Sequence, residues 1–471
     1  MTEFSPAWLA TPADLNEVDA KLWPANFARK ADGEVSIGGV AVSELTAQYG
    51  TPLYVVDQAD FFARAARVKS ALVSAAESIG STAKVYYAGK AFLCTEVAAW
   101  IQELGLNLDV ASGGELAAAL AGGMPAERLG LHGNNKSLAE IGRAVAAGVG
   151  AIVIDSEIEL ERIASAAQAQ GKRQGVRIRV NAGVHAHTHE FLATAREDQK
   201  FGVARADVAA MVARIRSDSH LEFLGIHSHI GSQIFEADGF IEAARRLIEL
   251  HVQLLEGGPV PELNLGGGFG INYTSADDAP EIETIAGRIA AGVKEACAEA
   301  GIDVPILAFE PGRYIVGPAG VTLYSVGTIK DVAVTEGASV KVRKYVSVDG
   351  GMSDNARPSL YGADYTARLV SRASIARPAL SRVVGKHCES GDIVVRDDYL
   401  PADIAGNDIL AVAATGAYCY SLSSNYNFLT RPPVVAVRDG VARLIIRGET
   451  EADLFSRDVR FQQQSENTRN G

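Results

Sequence analysis

One unit recurs eight times between residues 85 and 310. Short apolar runs of strand type, "VYYAGK", "LNLDVAS", "RLGLHGN", "AIVIDS", "VRIRVN", "FLGIHSHIG", "LNLGGG" and "ILAFEPG", alternate with longer segments of another texture. "TEVAAWIQEL", "ELERIASAAQAQ" and "FIEAARRLIELHVQLLE" place apolar residues three and four apart and are rich in Ala, Leu and Glu, as helices require. Eight strands alternating with helices predict an α/β fold, a (β/α)₈ TIM barrel. A doubly wound open sheet is the competing arrangement.

At 471 residues the chain is too long for one hydrophobic core, so a second domain is expected. After about residue 320 the helical windows give way to "TLYSVGTIKDVAV", "VRKYVSVDGG", "GDIVVRDDYLP" and "PPVVAVRDGVARLIIRG", rich in Val and Ile with turn residues between them. We expect a barrel over 48–318 and a mostly-β domain over 1–47 and 319–471, combining an N-terminal hairpin from "GEVSIGGVAVSEL" with a C-terminal β-sandwich or barrel. A net charge of −13 argues against nucleic acid or an anionic membrane surface as partner. No run of about 18 apolar residues predicts a membrane span, and the N-terminal stretch lacks the pattern of a signal peptide. The four cysteines, Cys94, Cys297, Cys388 and Cys419, show no C-x-x-C or zinc spacing, which suits a reducing, cytoplasmic setting.

In a barrel of this kind chemistry sits at the C-terminal ends of the strands. Those ends carry Lys90, Asp109, His132, Arg179, His229, Gly266 to Gly268, and Glu310 to Arg313. Such a concentration predicts one mouth lined from several strands. The three glycines of "NLGGGFG" leave backbone N–H groups open to an anion, and "EPGR" follows the next strand, where barrels often hold phosphate. Lys90 interrupts the apolar strand "KVYYAGKAF". An ammonium buried without a partner costs several kcal/mol; an ion pair with Asp109 or Glu310 is one answer. The other is that a lysine desolvated inside a barrel is a nucleophilic amine suited to a Schiff base. Phosphate, amine and acid together point to pyridoxal 5'-phosphate. Glu310 would face the ring nitrogen, His229 would lie flat on the ring, and Ser232 would reach the phosphate.

"YYAGKAF", "LDVASGGEL", "HGNNKS", "HIGSQI", "LNLGGGFG", "EPGRYIVG", "VDGGMSDNARPSLYGA", "CESGD" and "GAYCYSLSSNYN" stand in one order along nearly the whole chain. In these the chain resembles the diaminopimelate decarboxylases, members of the fold-type III pyridoxal-phosphate family with ornithine and arginine decarboxylases and alanine racemase. The resemblance implies an alanine-racemase-like barrel and decarboxylation of meso-2,6-diaminopimelate to L-lysine and CO₂, the last step of lysine biosynthesis. It implies that Lys90 carries the cofactor, that His229 stacks on it and that Glu310 pairs with its nitrogen. Ser232, Gly268, Gly312 and Tyr418 would hold the phosphate side, with Asp109, Arg179, Gly266, Gly267 and Arg313 completing the cofactor site. Arg313, Arg357, Tyr361 and Tyr418 would bind substrate, with Glu389 facing its distal amine. Cys388 would be the proton donor, supplied across a homodimer interface.

Related decarboxylases of ornithine, arginine or carboxynorspermidine, a racemase, and a non-catalytic cofactor carrier are the alternatives. Two departures from the family pattern, Ala182 in "RVNAGV" and Cys419-Tyr420 in "GAYCYS", touch no catalytic role. Cys94 and Cys297 fall in helical windows and read as buried small hydrophobes. His185, His187 and His189 alternate as in a solvated lid. His227 and His229 resemble a metallohydrolase pair, but such pairs belong to a first strand and this one is on the sixth. No metal is expected.

Overall fold

The computed structural model describes residues 4–184, 200–336 and 339–462. Eight parallel strands, Ala83–Ala88, Asn107–Val110, Leu129–Leu131, Ala151–Ile154, Gln174–Arg179, Leu221–His227, Glu262–Asn264 and Ile306–Phe309, pair in chain order and close into a barrel. Closure is made by the last strand on the first, with Leu307 opposite Ala83 and Phe309 opposite Val85. The intervening helices begin where capping chemistry allows. Ser137 and Glu140 form a reciprocal capping box at the start of Leu138–Ala147, and Gly148 ends that helix in the left-handed region. The Ser112 hydroxyl likewise accepts from the Glu115 N–H at the start of Gly113–Ala121. These helix starts hold the loops at the mouth of the barrel.

The barrel interior is not wholly apolar. Arg177, on the fifth strand, donates to Glu262 at 2.8 and 2.6 Å and to the Tyr86 hydroxyl at 2.8 Å. Both ionic side chains are 2% exposed, and Lys84 also pairs with Glu262. A buried guanidinium is tolerated here because each partner is hydrogen-bonded as well as oppositely charged.

The chain divides into two units: Phe62–Ile271 with Asp278–Ile315, and Met1–Phe61 with Asn272–Asp277 and Val316–Gly471. In the second unit the long strand Gly320–Glu336 pairs with Ser339–Val348, Leu53–Asp57 and Ile409–Val412. Leu53–Asp57 also pairs in parallel with Val434–Arg438. Around this sheet Trp23 stacks on Phe27 at 4.4 Å, and Val35, Ile37, Leu45, Val321 and Val437 complete an apolar core. Phe27–Arg29, Val35–Ile37 and Val40–Ala41 form a three-stranded antiparallel sheet within the same unit.

The expected start of the barrel domain at residue 48 is too early. "LYVVD" is buried at all five positions, so by pattern it could be a parallel barrel strand, yet its partners are Gly320–Leu323 and Val434–Val437 in the β unit. Among the cysteines, Cys297 is buried in the helix Ile282–Ala300, and burial pushes its thiol up to about 11. Cys94 is half-buried at the N-cap of Thr95–Glu103 rather than inside a helix. His185, His187 and His189 lie outside the described residues.

Candidate active site

The C-terminal ends of the barrel strands converge on a cavity of about 270 Å³, with Lys90, Asp109, His132, Arg179, His229 and Glu310 in its walls. These come from strands one, two, three, five, six and eight. Glu310 is the anchor of the floor. The Asn264 amide donates to its Oε1 at 2.8 Å, and His227 Nε2 lies 3.1 Å and His132 Nε2 3.6 Å from the same oxygen. Burial alone would raise this carboxyl, but the two imidazoles turned toward it overcome that and hold it well below the usual carboxylate range.

Asp109 has the opposite fate. Burial first, and then the negative charge of Glu310, push its carboxyl well above the ordinary value. Its Oδ1 is 3.2 Å from His132 Nε2, while its buried Oδ2 has no hydrogen-bond partner among the described residues. The two carboxyls of one cavity are thus pushed in opposite directions by their surroundings. Burial depresses His132 to about 4 and lowers His227 as well, which favours the neutral ring in both. The ligand atoms of His132, His227 and Glu310 lie within 4.8 Å of one another, with His227 Nε2 in hydrogen-bond reach of the carboxylate.

His229 has a different task from its neighbour two residues away. It lies just past the sixth strand, half-buried, and its Nδ1 accepts the Gly267 backbone N–H at 3.2 Å. Burial and then the positive charge of Lys90 lower the ring well below the usual imidazole value. The pairing of His227 with His229 as one metal-binding face is thus not what the side chains do.

The glycine turn is built around the same residues. Gly266 donates to the Asn264 side-chain oxygen at 2.8 Å, so Asn264 ties Glu310 to the turn. A Cβ at Gly267 would lie 2.1 Å from the Glu310 carbonyl oxygen, and one at Gly268, where φ is +110°, would lie 2.5 Å from the Gly231 oxygen. Neither position admits a side chain. The Gly266 and Gly267 N–H groups are already engaged, whereas those of Gly268 and Gly312 donate to nothing among the described residues. Next to them Arg313 donates to the Ser232 hydroxyl at 2.7 Å.

Lys90 departs from the sequence expectation. It is exposed, on a single 3₁₀ turn Gly89–Ala91 beyond the first strand, not desolvated within the barrel. It makes no ion pair with Asp109 or Glu310; the strand ends at Ala88 and the turn carries the amine out to the mouth. Glu115, Phe201 and Asn264 are participants that sequence reasoning passed over. The Glu115 carboxylate accepts the Ala111 N–H at 2.6 Å, and Phe201 carries the Arg179 guanidinium 4.3 Å above its ring. Glu115 had a signal in the "SGGE" capping pattern, and Asn264 in a polar residue closing an apolar strand.

The remaining candidates, Arg357, Tyr361, Cys388, Glu389 and Tyr418, lie in the β unit. Arg357 is buried, donates to the Tyr365 hydroxyl at 2.5 Å and sits 4.7 Å from the Tyr273 ring centroid. No acidic side chain among the described residues pairs with it. Tyr418 holds a φ of +66°, a strained conformation for a bulky residue, of the kind found at functional sites. Cys388, Glu389 and Tyr361 are exposed.

A family model described as "Pyridoxal-dependent decarboxylase, pyridoxal binding domain" matches residues 65–317. The diaminopimelate decarboxylase of Mycobacterium tuberculosis (strain ATCC 25618 / H37Rv) is 52% identical over 455 residues, 95% of this chain and 100% of that protein. The chain belongs to the diaminopimelate decarboxylase family. The enzyme of that name from Corynebacterium efficiens is 48% identical over 448 residues, 94% of this chain and 95% of its own. Among solved structures, the diaminopimelate decarboxylase of M. jannaschii in complex with L-lysine superposes with a TM-score of 0.84 at 31% identity, covering 93% of this chain and 98% of that one. For the Helicobacter pylori enzyme with L-lysine the TM-score is 0.77 at 28% identity, covering 90% and 99%.

The cavity suits the cofactor this family name implies. It offers an amine at the rim, an ionised acid on the floor, a flat imidazole ring in its wall, and uncommitted glycine N–H groups beside the mouth.

Proposed function

We propose that this chain decarboxylates meso-2,6-diaminopimelate to L-lysine and CO₂ with pyridoxal 5'-phosphate. The observation that carries the reading is the convergence of Lys90, His229 and the ionised Glu310 on one cavity, in a chain of this family. Bound there, the cofactor supplies an aldehyde that condenses with amines and a ring that accepts the electron pair left when CO₂ departs.

The chain's own residues would act as follows. Lys90 would hold the cofactor through its side-chain amine. Glu310 keeps a proton on the ring nitrogen, and its ionised state is what suits it to that. The His229 ring, which lines the same cavity, would support the cofactor. The N–H groups of Gly268 and Gly312, with Ser232, Arg313 and Tyr418, would hold the phosphate, and Asp109 and Arg179 would complete the cofactor site.

For the substrate, Arg357, with Arg313, Tyr361 and Tyr418, is assigned to the distal carboxylate. Its support is a buried guanidinium with no acidic partner among the described residues, which leaves its charge for a ligand. Glu389 is assigned to the distal ammonium. Cys388 delivers a proton to the α-carbon that has lost CO₂, and we assign it to the site of a second copy, as Cys388 of the partner subunit. The exposure of Cys388 and Glu389 supports a homodimer.

Release of CO₂ from diaminopimelate by purified protein reconstituted with pyridoxal phosphate tests the activity. Borohydride reduction should fix the cofactor to the peptide containing Lys90. A Lys90→Ala protein with full turnover would overturn the assignment. Turnover of ornithine or arginine above that of diaminopimelate would replace the substrate.

A further inference from the structure

Cys388 lies on an exposed loop, where a thiol free to wander would be a poor proton donor. Yet the loop is fixed on both flanks. The Cys388 backbone N–H donates to the Asn427 side-chain oxygen at 3.0 Å. The preceding residue, His387, is buried, and its ring stacks on Tyr426 at 5.6 Å with only 5° between the planes. Nδ1 of His387 and its backbone N–H approach the same Asp392 oxygen at 2.9 and 2.8 Å. Asp392 also accepts the Met352 N–H at 2.6 Å, joining the "CESGD" loop to the "VDGGMS" loop.

The segment that carries Asn427 is strained in order to present it. Asn427 and Phe428 have φ of +51° and +59°, the second a rare conformation for an aromatic residue. Glu449 anchors both ends of this turn. It accepts from the Asn425 amide at 2.5 Å and from Arg431 at 2.7 and 2.8 Å. Two consecutive left-handed residues persist only where surroundings over-determine them, and here the outcome is an amide oxygen aimed at the Cys388 backbone.

We propose that Asn427, together with the His387–Asp392 pair, positions the Cys388 thiol for proton delivery. The inference rests on the reading of Cys388 as the donor. It assigns a positioning role to Asn427, His387 and Asp392, none of which touches substrate on this account. Proton transfer needs the donor within hydrogen-bond reach of the accepting carbon, and a misplacement of about 1 Å can cost about a hundredfold in rate.

The test uses the reconstituted holoenzyme, three single variants at Asn427 and Cys388, and one double variant. Asn427→Gly keeps the left-handed backbone and removes the acceptor; Asn427→Asp restores an acceptor in the same place. We expect Asn427→Gly to lower kcat by roughly tenfold or more with KM for diaminopimelate and the cofactor absorbance unchanged, and Asn427→Asp to recover most of it. In a Cys388→Ala background Asn427→Gly should have no further effect. Should Asn427→Gly fail to fold, His387→Phe, which keeps a ring against Tyr426 and gives up the bond to Asp392, is measured in the same way.

Wild-type kcat in Asn427→Gly, with Cys388→Ala impaired, would overturn the positioning role and leave the donor reading standing. An equal loss in Asn427→Asp, or a further loss in the Cys388→Ala background, would also overturn it, since a structural role predicts both. Full turnover in Cys388→Ala would instead sink the donor reading, and the inference with it.

Discussion

The backbone N–H of Gly267 donates to Nδ1 of His229 at 3.2 Å, and this fixes the tautomer of the ring. With Nδ1 as acceptor the remaining hydrogen is on Nε2, and a second proton would break the bond to Gly267. Burial and then the Lys90 charge act in the same direction. In the cofactor-free protein the His229 ring should therefore show no titration between about pH 5.5 and 8, where an ordinary imidazole changes charge. Nitrogen NMR of selectively labelled histidine, assigned with a His229→Gln variant, checks it. A His229 transition near pH 6.5 would remove the argument for a permanently neutral ring.

Glu262 and Arg177 are the second place where charge is held inside the barrel. Replacing Glu262 by Gln leaves Arg177 buried beside Tyr86 without its anion, and frees Lys84 as well. Breaking a buried pair by removing one partner costs about 3–5 kcal/mol, whereas replacing both by apolar groups is often nearly neutral. Urea unfolding should show a loss of that order for Glu262→Gln and a much smaller one for the double variant Arg177→Met, Glu262→Leu. Equal losses in the two proteins would mean the charges add nothing beyond packing.

Arg357 is a charge waiting for a ligand. Its guanidinium stands over the Tyr273 ring and donates to Tyr365, with no carboxylate to match it among the described residues. Lysine cannot reproduce the planar fork or the stacking. On the reading proposed above, Arg357→Lys should lower kcat/KM for diaminopimelate by about a hundredfold, ~3 kcal/mol, mainly through KM. The same variant should bind 1,5-diaminopentane, which lacks the distal carboxylate, about as well as the wild type does. Equal losses toward both molecules would place Arg357 in the scaffold instead.

The barrel is legible in the sequence because its strands are short and its helices are amphipathic, so the alternation survives without any knowledge of partners. Glu310 and His229 are legible for the same reason, since the end of a barrel strand is a known address. What escaped is information that only long-range pairing supplies. "LYVVD" carries no mark of which sheet it joins, because a strand buried on both faces looks alike in either; its partners stand more than 260 residues away. Lys90 was expected in the interior because it interrupts an apolar run of strand type, but one 3₁₀ turn after Ala88 is enough to carry it outward. Asn264 showed in the sequence only as a polar residue closing an apolar strand, because its role is to hold Glu310 and Gly266 at once, a relation that long-range pairing supplies.

Asp354 provides a test of the β unit alone. Its carboxyl is buried with the Tyr324 hydroxyl and the Gly351 N–H as donors, and burial raises it to about 7. An unfolded aspartate titrates near 3.9. Between those values the folded chain binds the extra proton, so the unfolded state binds fewer and stability falls as pH rises. The contribution is fully present below about pH 4 and is lost as pH passes through about 7, a total on the order of a few kcal/mol. Asp354→Asn removes the titrating group, and the Tyr324 hydroxyl can turn to accept from the amide. Relative to wild type, the variant should therefore gain stability between about pH 5 and 8. Urea midpoints of the two proteins at both pH values give the comparison. A difference between them that does not change with pH would show that Asp354 is ionised throughout, and that the tyrosine and amide donors outweigh its burial.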